Sequence, residues 1–198
     1  MYVTQVANRL KGSPSIPCVV IGFPLGVCTT ASKALWAFPS FFRYHLSHHA
    51  CSETRDAVSS GAKEIDMVIP VGLLKAKDYQ AVFADILAVV QAAAPIPVKV
   101  ILETVFLTDE EKIAASFISA EAGAAFVKTS TGFLGGGATV EDVSLMWKTV
   151  QYKNGAVKVK ASGGVRTFEK CLDMFKAGAE RIGTYVFLHC IRWPGRLC

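Results

Sequence analysis

The chain has 198 residues, of which 52% are hydrophobic and 19% charged, with a formal net charge of +5. That length suits one domain with a sizeable core, and the apolar content excludes disorder as the main theme. No apolar run approaches the ~18 uncharged residues of a spanning helix, and 21 basic against 16 acidic residues form no run that would mark a nucleic-acid surface.

The first residues, Met1 to Gly12, place Val3, Val6, Ala7 and Leu10 at helical spacing and lack the apolar block of a secretory signal. The six cysteines contain no Cys-x-x-Cys pair and read as reduced thiols of a cytoplasmic protein. Short β-branched runs then recur along the chain. They stand at Cys18–Gly22, Glu64–Ile69, Val98–Leu102, Ala125–Thr129, Val157–Lys160 and Glu180–Thr184, with helical patterns between them.

From Ile21 to Asp66 the interval is 45 residues, against 23 to 37 between reference positions on the later strands. The excess lies in Trp36–Ser52, an aromatic segment without helical or strand period, which reads as an insertion. Within it, His45, His48, His49 and Cys51 have ligand chemistry but no regularly spaced second half, so no metal site is expected.

Thr108-Asp-Glu-Glu111 is a capping box opening a helix with Ile113, Phe117 and Ile118 on its apolar face. Thr139 caps a helix carrying Val140, Val143, Met146, Trp147 and Val150, and Thr167 one carrying Phe168, Leu172 and Phe175. Gly61, Gly123 and Gly178 each follow a helix, and five residues after them come Asp66, Lys128 and Gly183. Repeated units of this kind build a parallel sheet with helices outside, and six or more favour a (β/α) barrel over an open sheet. The G-x-G-x-x-G fingerprint of dinucleotide folds is absent after the first strand.

Strands buried on both faces read as apolar runs, yet Asp66, Lys99, Lys128, Lys158 and Lys160 interrupt these. Each charge needs a partner, a wet cavity or a catalytic role. Lys128 and Lys160 both end strands, on the face that carries barrel active sites. A second lysine nearby lowers the pKa of the first, and a neutral amine can attack a carbonyl to form a Schiff base. Asp66 is a candidate proton handler on its own strand, the alternative being a buried structural carboxylate. Lys158 pairs a carboxylate near the barrel floor, and Glu103 either lines the mouth or pairs Lys99 or Arg166. The loops Gly132–Gly137 and Gly163-Gly164 stand between strand and helix, where backbone N–H groups can approach a phosphate.

The stretches IGFPLG (Ile21–Gly26), EIDMVI (Glu64–Ile69), VKVILET (Val98–Thr104), LTDEEK (Leu107–Lys112), FVKTSTGF (Phe126–Phe133), GGATVEDV (Gly136–Val143) and KASGGVRT (Lys160–Thr167) together resemble the deoxyribose-phosphate aldolases. These are Schiff-base aldolases on a (β/α)8 TIM barrel. The resemblance covers about residues 2–184 and implies reversible cleavage of 2-deoxy-D-ribose 5-phosphate to D-glyceraldehyde 3-phosphate and acetaldehyde. That reaction belongs to deoxyribonucleotide and carbohydrate catabolism and uses neither metal nor cofactor. It implies Lys128 as the Schiff-base nucleophile, Lys160 as the lysine that perturbs it and joins proton transfer, and Asp66 as part of the relay. The backbone of Gly132, Gly163, Gly164 and Gly183 would hold the phosphate. The expected partners are the phosphorylated sugar and no nucleic acid or membrane, with a homo-oligomer left open.

Three features depart from the family pattern. Two β-α units normally precede the IGFPLG strand, so about six of eight strands are recognisable and the expected barrel is incomplete. The insertion at 36–52 has no family counterpart. Residues 185–198 replace the family's phosphate-binding serines and last helix with a divergent tail, leaving 1–184 as the aldolase domain. A second reading is therefore a catalytically inactive family fragment, non-catalytic or dependent on a partner chain.

Overall fold

In the computed structural model, the described residues are 2–23, 26 and 51–184. Helix α1 (Tyr2–Arg9) precedes strand β1 (Cys18–Ile21). Helix α2 (51–59) leads into β2 (Glu64–Val68), followed by α3 (Val71–Lys75), α4 (Tyr79–Ala93) and β3 (Val98–Ile101). Then come a 3-10 turn (Thr104–Phe106), α5 (Asp109–Glu121), β4 (Phe126–Lys128) and α6 (Val140–Val150). The described part ends with β5 (Lys158–Ser162), α7 (Phe168–Lys176) and β6 (Arg181–Gly183). All six strands expected from sequence are present. They form one parallel sheet in the order β1-β2-β3-β4-β5-β6.

The sheet curls into part of a barrel. Arg181 on β6 donates to Glu64 on β2 at 2.6 Å. In a flat sheet those strands would stand roughly 19 Å apart, at about 4.8 Å per neighbour, too far for the two side chains to bridge. The curl also explains the charged strand positions. Ile65, Met67, Val98, Val100, Val127, Val159 and Ala161 face outward, where they and the helices form the apolar core. The alternate positions Glu64, Asp66, Lys99, Lys128 and Lys160 face inward and meet one another. This is the α/β architecture of the TIM-barrel type, represented among the described residues by six strands.

The helix signals act as expected at their ends. Thr108 and Glu111 form the complete capping box, and Thr139 and Thr167 accept from the third backbone N–H of their helices. The buried face of α5 differs from expectation. Ile113 and Phe117 are exposed, while Ala115, Ser116, Ser119 and Ala120 are buried. Small side chains let α5 approach its neighbours closely, and Ser116 and Ser119 donate to Lys112 O and Ala115 O, so neither hydroxyl is lost to burial. Likewise Phe168 and Phe175 of α7 are exposed, and Cys171 and Met174 fill the core.

Residues 36–50 of the expected insertion and the tail 185–198 lie outside the described residues. Cys51 and Ser52, the last two of that segment, belong to α2. His45, His48 and His49 are also outside, while Cys51 is buried, and Cys18 and Cys51 are free thiols. Among the described residues no group of three metal-ligating side chains occurs, and no helix is long and apolar enough to cross a membrane.

Candidate active site

Lys128 and Lys160 are register partners on β4 and β5. The strand ends beyond them are stitched together by side chains. Thr129 Oγ1 donates to Ser162 O at 2.8 Å and accepts from Ser162 N at 3.0 Å, and Ser162 Oγ donates to Ser130 O at 2.6 Å. This fixes two lysines side by side at the C-terminal face of the sheet.

Asp66 reaches both from β2. Its Oδ2 lies 2.7 Å from Lys128 Nζ and 3.7 Å from Lys160 Nζ. Its Oδ1 accepts from Lys99 Nζ at 3.0 Å and from the Cys18 thiol at 3.2 Å. Lys99 is held in turn by Glu64 at 2.6 Å, and Glu64 by Arg181 at 2.6 Å. A chain of alternating charge therefore runs up the inside of the sheet, from Arg181 through Glu64 and Lys99 to Asp66.

Burial opposes the charge of Asp66, but Lys128, Lys160 and Lys99 outweigh it and hold the carboxyl well below the usual carboxylate range. The Lys160 ammonium is pushed down by burial and by Lys128 and Lys99, against the opposing pull of Asp66. Burial would lower Lys99 as well, yet Asp66 and Glu64 more than compensate and raise it. Lys99 is thus a fixed cation, whereas Lys160 is the lysine biased towards its neutral form. Burial, reinforced by Asp66, pushes the Cys18 thiol up to about 11, so it serves as a donor rather than a thiolate.

The glycines named from sequence converge beside the lysines. Gly163, in the turn after β5, has φ +84°, and a Cβ there would stand 3.1 Å from Gly137 Cα and 3.5 Å from Gly132 Cα. Ala138 N donates to Gly163 O at 2.9 Å, locking the loops after β4 and β5 together. Gly183 packs against Ser162 and Lys160, where a Cβ would stand 2.8 Å from Ser162 Cβ and 3.4 Å from Lys160 Cε. At the rim, Phe23 after β1 and Phe133 after β4 meet edge to face with centroids 5.2 Å apart.

Two of the charged positions lie elsewhere. Lys158 pairs Glu180 at 2.8 Å near the N-terminal ends of the strands, as expected. Glu103 does not pair Lys99, whose ammonium is already engaged by Glu64 and Asp66. Fully buried with φ +56°, Glu103 instead accepts from Thr131 N at 3.0 Å and so braces the loop after β4. The roles of Glu64, Arg181 and Cys18 escaped sequence reading. The spacing of Glu64 from Asp66 within one strand was the available signal, because residues two apart share a face.

A family model described as DeoC/LacD family aldolase matches residues 31–187. The chain is 52% identical over 183 residues to a deoxyribose-phosphate aldolase of Brevibacillus brevis, covering 92% of this chain and 74% of that protein. A crystal structure assigned to a deoxyribose-phosphate aldolase of Coccidioides immitis superposes with a TM-score of 0.81 at 42% identity, covering 92% of this chain and 66% of that one. A tetrameric deoxyribose phosphate aldolase of Aeropyrum pernix superposes with a TM-score of 0.75 at 29% identity, covering 92% and 69% of the two chains.

Proposed function

The chain belongs to the DeoC/LacD family of aldolases, and on that premise we propose that it is a deoxyribose-phosphate aldolase that cleaves 2-deoxy-D-ribose 5-phosphate. The observation that carries this reading is Asp66 Oδ2, which lies 2.7 Å from Lys128 Nζ and 3.7 Å from Lys160 Nζ at one mouth. Lys128 attacks the C1 aldehyde of the open-chain sugar. The carbinolamine oxygen takes up a proton through the Asp66–Lys160 relay and leaves as water, giving the protonated imine. A base then removes the C3 hydroxyl proton. The C2–C3 bond breaks, and its electron pair is taken up by the iminium to form an enamine, releasing D-glyceraldehyde 3-phosphate. Protonation at C2 and hydrolysis free acetaldehyde and regenerate the amine.

Lys160 is suited to moving protons because its ammonium is depressed by burial and neighbouring lysines. Asp66 rests ionised, since its acidity is strongly increased, and in the relay it holds a proton only in transit to or from Lys160. The phosphate is assigned to the backbone of Gly132, Gly163, Gly164 and Gly183, whose loops meet beside this pair.

The test is a coupled assay for D-glyceraldehyde 3-phosphate with the purified protein, followed by borohydride reduction in the presence of substrate and peptide mass spectrometry. The expected adduct sits on Lys128. An adduct on Lys160 would reverse the two roles, and purified protein with neither turnover nor adduct would favour the non-catalytic reading.

A further inference from the structure

Lys170 stands in the first turn of α7, where its backbone N–H donates to Oγ1 of the capping Thr167 at 3.2 Å. Its side chain turns back along the loop. A Cβ built on Gly164 would lie 3.8 Å from Lys170 Nζ and equally 3.8 Å from Gly137 Cα. The ammonium therefore overlooks the place where the glycine loops after β4 and β5 lie in backbone contact.

No carboxylate among the described residues pairs with it there. Among the described residues, the other buried or half-buried lysines are Lys99, Lys112, Lys128, Lys153, Lys158 and Lys160, and each has a carboxylate partner. Lys170 is half-buried and has none among the described residues. Partial burial of a cation without a counter-charge costs hydration, and an anionic ligand arriving at the loops would offset that cost. The backbone N–H groups of the loops supply direction but no formal charge, so a cation beside them adds what recognition of a dianion requires.

We propose that Lys170 is a phosphate-binding residue, its Nζ meeting an oxygen of the substrate's phosphomonoester while the glycine loops hold the others. The substrate named here rests on the aldolase reading, whereas the ligand chemistry, a phosphomonoester dianion, rests on the lysine and the loops.

Lys170→Ala and Lys170→Arg are compared with the unaltered protein on 2-deoxy-D-ribose 5-phosphate and on unphosphorylated 2-deoxy-D-ribose. Loss of a hydrogen bond to a charged group predicts that Lys170→Ala lowers the phosphorylated-to-unphosphorylated ratio of kcat/KM about tenfold, mainly through KM. Arginine should restore most of the ratio. A ratio unchanged in Lys170→Ala overturns the assignment. Calorimetric binding of glycerol 1-phosphate, an unreactive phosphomonoester, provides a measurement independent of turnover. Weaker binding by Lys170→Ala than by the unaltered protein supports the role even if neither sugar is cleaved, in which case the aldolase reading alone fails. Equal affinity in the two proteins, or binding by neither, refutes it.

Discussion

Lys99 Nζ lies 2.6 Å from Glu64 Oε2 and 3.0 Å from Asp66 Oδ1, so one buried cation joins two carboxylates of the same strand. Glu64 neutralises Lys99 from below, and Lys99 occupies one oxygen of Asp66. The other oxygen of Asp66 is thereby presented to Lys128 and Lys160. The acid of the site is aimed by ion pairs that never touch the mouth.

Removing one partner should leave an unpaired buried charge. Glu64→Gln and Lys99→Met should each destabilise the fold by about 3–5 kcal/mol in urea titrations. The double variant should cost less than the two single effects added together, because its second change removes the charge orphaned by the first. Additive losses would mean that the two groups do not interact in solution.

Lys128→Ala should abolish both turnover and borohydride trapping, since it removes the amine on which the Schiff base is assigned to form. Asp66→Asn should instead leave slow turnover, reduced about 10²–10⁴-fold, the usual contribution of an acid–base group. Equal, complete loss in both would show that Asp66 is needed to place Lys128 rather than to relay protons.

These two residues were legible in sequence because a charge inside a β-branched run has few explanations. The strands themselves were legible for a related reason. Their outward positions are apolar and bounded by capped helices, so Thr108, Thr139 and Thr167 mark the helix starts where they occur. The helix faces were less legible. Size and hydrophobicity pointed to Ile113 and Phe117, but close approach of α5 selects Ala115, Ser116, Ser119 and Ala120. Arg181 and Glu64 were hidden because strands β2 and β6 meet only when the sheet curls, a property no local pattern encodes.

A glycine mark that sequence did reveal supports a stability prediction. Gly178 after α7 has φ +109°, and a Cβ there would overlap the Trp147 ring, 2.6 Å from Cδ1 and 2.8 Å from Cβ. Gly178→Ala should therefore cost about 2–3 kcal/mol, combining left-handed strain with overpacking. In a Trp147→Ala background the same glycine change should meet no clash and cost only the backbone strain of about 1 kcal/mol. Thermal melts of the four proteins of this cycle decide it.

Asp85 on α4 is buried, and its Oδ1 has no hydrogen-bond partner among the described residues. Burial pushes its carboxyl up to about 6. Because the unfolded value is near 3.9, the folded state binds this proton more tightly. The group's contribution to stability therefore falls as pH rises from about 4 to about 6, and is constant above. Asp85→Asn should gain about 2 kcal/mol at pH 8 and nothing at pH 4, relative to the unaltered protein. A gain independent of pH would assign the effect to packing.

The balance of forces at Lys160 yields a prediction about titration at the mouth. Burial, Lys128 and Lys99 lower its pKa, and Asp66 alone among its near carboxylates raises it. Asp66→Asn removes that opposing force, so the Lys160 ammonium should titrate at still lower pH. Lys99→Met removes a repelling cation and should move it the other way, provided that protein stays folded. Reductive ¹³C-methylation makes each lysine visible by NMR, and the resonance lost in Lys160→Arg identifies the one to follow. Asp66→Asn should also move the alkaline inflection of any residual kcat/KM to lower pH, because the proton carrier becomes neutral earlier. A Lys160 titration that rises in Asp66→Asn would mean the carboxylate was excluding charge rather than stabilising it. The relay drawn through that oxygen would then be wrong.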